Sequence, residues 1–180
     1  MPATSSGPVV VPTLTVWCYG TPLGATAGSV RLRRLEEARA LEVIDAIVVS
    51  WAPGAHRPRV TRLWPPADVG ARVPSVLVAL LRTALLASHN GDPLPADVVD
   101  RIAAAGVEPT LLDAVTARLV PRTSALLVLS GVEDLSVVVP SVRQRIVSGE
   151  VTLLRADLPD DGPELLRTAV GLEPPPPDRQ

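Results

Sequence analysis

Phenylalanine and lysine are absent from this 180-residue chain, cysteine and methionine occur once each, and four aromatic residues are all it has. The single cysteine, Cys18, excludes an intramolecular disulfide and fits a reducing, cytosolic-side compartment. Two separated histidines, His56 and His89, and that one cysteine fall short of the three or four ligands a zinc ion takes. No spacing brings carboxylates in to complete such a set, so no metal and no other cofactor is expected. Against nineteen acidic residues the seventeen basic ones leave a net charge of −2, so no positive field exists to condense onto a phosphate backbone. Nucleic acid is therefore not an expected partner. All seventeen are arginine, which reads as a GC-rich coding bias rather than as seventeen demands for bidentate bonding. The start of the chain has neither the basic residues nor the apolar run of a secretory signal.

The longest apolar window, Val73 to Ser88, carries Arg82 at its middle. A membrane span wants about 20 apolar residues, and an arginine at its centre costs on the order of 3 kcal/mol, so a buried or interfacial helix is expected there. Valine, leucine and alanine carry most of the 47% hydrophobic content. A chain of this length can bury roughly 70% of its unfolded surface without a staple. The four aromatics, Trp17, Tyr19, Trp51 and Trp64, all fall in the first third.

Alternation of Leu14, Val16 and Cys18 with Thr15, Trp17 and Tyr19 predicts a strand with two different faces. Gly20-Thr21-Pro22 breaks it, and helical spacing from Val30 to Leu41 follows, with Arg33 and Glu37 on the wet side. A second, nearly all-apolar strand spans Val43 to Ala52, and a shorter third one runs from Val60 to Trp64 after a hairpin turn. Helices are expected at Asp97–Ala105 and from Thr110, a fourth strand at Thr123–Ser130, a helix interrupted by Pro140, a fifth strand at Val151–Ala156 and a last helix from Pro163. This order predicts an α+β fold, a ferredoxin-like βαββαβ-type sandwich with inserted central helices at 73–105. Residues 1–12 read as a disordered arm, 13–172 as one domain and 173–180 as a proline-rich tail.

Particular residues go further. Leu14-Thr15-Val16-Trp17, Thr21-Pro22 with Gly24-Ala25, Asp45-Ala46, and Val48-Val49-Ser50-Trp51 with Pro53-Gly54 resemble the uncharacterised membrane-protein family known as domain of unknown function 1269. Gly106-Val107, Leu119, Pro121 and Thr123-Ser124-Ala125-Leu126 match the second half of the same pattern. The resemblance implies no catalytic residue. It implies a glycine-rich apolar hairpin in the middle, and this chain has no glycine from Ala71 to Asn90.

No nucleophile, acid/base pair or phosphate loop accompanies these segments, and the chain reads as non-enzymatic, acting through protein–protein or peripheral membrane contact. The partner would be a second copy, an unidentified protein, or a membrane surface met by Val73 to Ser88. Trp17, Tyr19, Trp51 and Trp64 are interaction candidates because exposed aromatic rings forfeit several kcal/mol, at about 25 cal/mol per Å². They need a covering layer, supplied by the central helix or by another chain. The competing reading is a small-molecule-binding or catalytic domain, with a pocket between the aromatic sheet face and the central helices and with His56, Arg57, Arg59 and Trp51 at its mouth. Cys18 reads as a small core hydrophobe. Asp45, in an otherwise apolar strand, must lie at an edge or pair with an arginine.

Overall fold

The computed structural model describes residues 11–65, 73–89, 91, 93–133 and 135–172. The arm up to residue 10 and the tail from 173 lie outside the described residues.

Five strands form one antiparallel sheet: β1 (Thr13–Tyr19), β2 (Leu41–Ser50), β3 (Arg59–Trp64), β4 (Ser124–Glu133) and β5 (Val151–Asp157), in the order β3-β2-β4-β1-β5. Between β1 and β2 runs α1 (Gly24–Glu37). Between β3 and β4 comes α2, a continuous helix of three pieces, Val76–Leu80, Leu81–Leu85 and Leu86–His89, whose middle piece widens into π geometry. It is followed by α3 (Ala96–Ala104) and α4 (Pro109–Arg118); α5 (Leu135–Val147) joins β4 to β5, and α6 (Gly162–Ala169) follows. The α+β expectation holds, and the central insertion extends through α4 as well as the 73–105 segment.

Both faces of the sheet are covered. Leu14, Val16 and Cys18 of β1 join Ile47, Val49 and Trp51 in a core closed by Val76, Leu77, Leu80, Leu81, Ala84 and Leu85 of α2, with α3, α4 and α6 packed around them. On the opposite face Trp17 and Tyr19 meet Ala25, Leu32 and Leu35 of α1 and Val138 and Val142 of α5. Every residue of β1 is buried, as a central strand between two covered faces requires. The Val73 to Ser88 window thus becomes the lid of the second sheet face. Among the described residues no helix is long and apolar enough to cross a membrane.

Irregularities in β2 and β3 decide which side chains meet. Val43 pairs with Ser130 and Asp45 with Leu129, so β2 carries one extra residue against β4. That bulge reverses the parity: Leu41 and Val43 face α1, yet Asp45 lies on the α2 side with Ile47 and Val49. A matching shift on β3, where Ala46 pairs with Trp64 and Ile47 with Arg62, inserts Leu63.

Thr21, Pro22, Ala25, Ser50, Trp51 and Ser124 gather at one end of the sheet. Ser124 Oγ donates to the Thr21 carbonyl at 2.6 Å and accepts from the Ala25 N–H at 2.9 Å. Ser50 Oγ donates to the Pro22 carbonyl at 2.6 Å, and Trp51 exchanges backbone bonds with Arg122 and Thr123. These bonds tie the first turn of α1 to the ends of β2 and β4 and satisfy one of its unpaired N–H groups. Ser124→Ala should cost about 1–3 kcal/mol, because it strands the buried Ala25 N–H together with the part-buried Thr21 carbonyl. Chemical denaturation checks this, and an unchanged midpoint would remove the hub from the account.

Candidate functional site

α1 and the β2–β3 edge diverge and leave a trough. One part, of about 440 Å³, is lined by Ser29, Leu32, Arg33 and Glu37 of α1 and by Val43, Thr61, Leu63 and Trp64 of the sheet. A second part, of about 280 Å³, continues past Thr26, Val48, Ser50 and Arg59, and shares Ser29, Thr61 and Leu63 with the first. The floor is strand, one wall is helix, and the far side opens at the outer edge of β3. No strand among the described residues pairs with that edge. Pro58 and Pro65 bracket β3, and Arg59 and Arg62 charge it, features that restrain uncontrolled edge pairing. The lining is apolar at Leu32, Val43, Leu63 and Trp64, with charges of both signs at the rim from Arg33, Arg59, Arg62, Glu36 and Glu37.

Across β3, on the α2 side, lies the most buried charge described. Asp45 is 3% exposed. Its Oδ2 accepts from the Ser75 hydroxyl at 2.7 Å and from the Leu77 N–H at 3.0 Å, and its Oδ1 faces Arg62 Nε at 3.8 Å. Ser75 Oγ in turn accepts from the Val78 N–H at 3.1 Å. Arg62 also donates to the carbonyls of Val73, at 2.6 Å, and Trp64, at 3.2 Å. The carboxylate sits at the positive end of α2, where helix N–H groups and the dipole favour an anion. The arrangement docks an inserted helix onto a sheet. Ser75 already holds both a carboxylate and a helix N–H, which makes it a cap and not a nucleophile with a base.

The sequence candidates separate between these places. Trp17 and Tyr19 are buried beneath α1 and α5, and Trp51 is buried on the opposite face, its indole N–H donating to the Ala55 carbonyl at 2.9 Å. Trp64 is half-buried and lines the trough, as does the exposed Arg59. His56 and Arg57 lie exposed in the β2–β3 turn and line neither part of it. The interface between the sheet and α2 is filled by Leu77, Leu80, Leu81 and Leu85, each at most 1% exposed.

Tyr19 packs against Gly24 and Gly28, where a Cβ would collide with its ring, and its buried hydroxyl has no hydrogen-bond partner among the described residues. Burial pushes its pKa up to about 12, with Arg31 and Arg145 pulling the other way. Burial likewise raises the Cys18 thiol to about 11, against the pull of Arg118. Both groups are held neutral in the fold, so stability is fully present below their unfolded pKa values of 9.0 and 10.0. It declines as pH rises from about 9 to about 12. A denaturation series across that range checks the sign. Tyr19→Phe should flatten its upper part and raise neutral-pH stability by about 1 kcal/mol, since it removes an unsatisfied hydroxyl. A loss of stability instead would mean that the hydroxyl has a partner.

Sequence reasoning missed the trough. Arg33 and Glu37 read only as a wet helix face, and Thr61 and Leu63 as part of a short strand. The Pro74-Ser75 step before an apolar run was the available signal for the α2 cap. Among the described residues, no group of three or more histidine, cysteine or acidic side chains could hold a metal ion. Comparisons with protein-family models, with curated proteins and with solved structures return no match.

Proposed function

We propose that this chain is a non-enzymatic binding module that takes an extended segment of a partner protein along β3, in the trough against α1. The observation that carries the reading is the coincidence of a strand edge that no strand among the described residues pairs with and a groove beside it of about 440 Å³ and 280 Å³ in its two parts. An added strand gains backbone hydrogen bonds from such an edge, and its alternate side chains fill the groove, the former giving affinity and the latter specificity. Leu32, Val43, Leu63 and Trp64 offer an apolar seat; Glu36, Glu37 and Arg33 offer charges beside it.

The reading favours protein contact over lipid because the apolar side chains of α2 face the sheet, leaving Val78, Ala79, Arg82 and Thr83 turned outward. With β3 set aside, the order β2-β4-β1-β5 with α1 and α5 on one face is what supports reading a ferredoxin-like arrangement here. We include that topology in the proposal, with α2, α3, α4 and α6 as the added layer on the face such sandwiches leave open. A divergent place in the domain of unknown function 1269 family belongs to it too. The residues behind that likeness include the hub at the start of α1, a role a shared fold needs whatever it binds.

A random heptapeptide library panned on the full chain tests the proposal. Recovered peptides should shift the amide signals of 59–64 and of α1, and Thr61→Trp, which fills the trough from an exposed position, should weaken them at least about ten-fold, the effect of losing one anchoring contact. Peptides that map elsewhere, or that bind Thr61→Trp equally well, overturn it. Self-association that shifts the same signals identifies a second copy as the occupant.

A further inference from the structure

The trough carries opposite charges at its two ends. Where α1 begins, its rim holds the exposed Arg59 at the start of β3. Where α1 ends, Glu36 and Glu37 outnumber Arg33 beside Leu63 and Trp64, and Arg62 is engaged with Asp45 and with backbone carbonyls. Among the described residues Arg59, Glu36 and Glu37 meet no opposite charge within the chain. A strand edge of this kind complements itself. Turned about a two-fold axis perpendicular to the sheet, its basic end meets its acidic end, and does so twice.

We infer that the segment this trough takes is β3 of a second copy, paired antiparallel about Thr61 so that the two sheets continue as one. The pairing rests on the strand-docking reading above and gives it an occupant. Its register follows from the faces. Arg59 and Thr61 lie on the α1 side, whereas Val60 packs into the core on the α2 side and Arg62 reaches Asp45 there. Side chains opposite one another across an antiparallel pair share a face, so the axis must fall on a residue that faces itself. Centring on Arg62 sets two arginines against each other, and centring on Val60 leaves Leu63 and Trp64 facing the partner's β2–β3 turn. Centring on Thr61 pairs the two threonines and sets Val60 against the partner's Arg62. It also brings each Arg59 beside Leu63 and Trp64 of the other copy, at the end where Glu36 and Glu37 stand and where an indole also attracts a guanidinium.

Sedimentation equilibrium on the full chain should show a concentration-dependent dimer. Arg59→Glu sets carboxylates against carboxylates at both ends and should raise the dissociation constant at least about ten-fold, and adding Glu36→Arg and Glu37→Arg to the same chain should restore it. Thr61→Cys reads the register. Residues facing each other in an antiparallel pair have Cα atoms about 4.5–5.5 Å apart, within disulfide reach, so this variant should cross-link at least about ten-fold faster than His56→Cys in the exposed turn. The buried Cys18 is common to both variants. A chain that stays monomeric, a dimer that ignores Arg59→Glu, or a Thr61→Cys variant that cross-links no faster than His56→Cys overturns the second copy as occupant. A monomer that still binds library peptides along 59–64 does so while leaving the strand-docking reading in place, and a monomer that binds none removes both.

Discussion

Asp45→Ala is expected to cost about 3–5 kcal/mol of folding stability, the usual penalty for removing one member of a buried charge pair. The substitution takes the acceptor from the Ser75 hydroxyl and the Leu77 N–H, and the opposite charge from Arg62, in a single step. The α2 N-terminus then meets the sheet with an unsatisfied donor buried beside it. Asp45→Asn keeps an acceptor in place and should cost less, about 1–2 kcal/mol. Arg62→Ala should approach the cost of Asp45→Ala, because a carboxylate that is 3% exposed is then left with two neutral donors. The Asp45/Arg62 double-mutant cycle reads the coupling directly in urea. Additive single effects would show that the 3.8 Å approach carries no energy, and a loss under 1 kcal/mol for Asp45→Ala would overturn its role as the anchor of α2.

Leu81→Ala should cost about 2–5 kcal/mol, the range for emptying a leucine site in a close-packed core. Leu81 is 0% exposed and stands where α2 widens, among Leu77, Leu80, Ala84 and Leu85. The unfolding transition should stay single, and backbone amides from 76 to 85 should exchange as slowly as those of β1 and β4, because α2 and the sheet share one core. A detachable helix that serves a lipid surface would behave otherwise. Its amides would exchange early and Leu81→Ala would barely move the midpoint. Either result would return Val73 to Ser88 to the interfacial reading.

Much of the fold was legible in local patterns. Alternation marked both sides of β1 correctly, and the reasoning that Trp17, Tyr19 and Trp51 need cover is met: all three are at most 6% exposed. The cover differs from the single aromatic layer expected. Trp17 and Tyr19 lie under α1 and α5, while Trp51 projects through the other face towards the helices of the insertion. The expected arginine partner of Asp45 exists as well, but nothing in the sequence marked Arg62 out from the other arginines. The trough was invisible, because α1 and β3 lie more than twenty positions apart in the chain and the width depends on how far α1 stands from the edge strand.

The chain alone settled which residues of β1 alternate and which segments turn helical, since periodicity is a property of short segments; helix bounds were less legible, for the helix expected from Val30 to Leu41 runs from Gly24 to Glu37 and Leu41 opens β2. The tertiary structure alone decided which face each side chain of β2 occupies. One extra residue between Val43 and Asp45 turns the carboxylate from α1 towards α2, and pairing register is fixed by contacts between strands far apart in sequence.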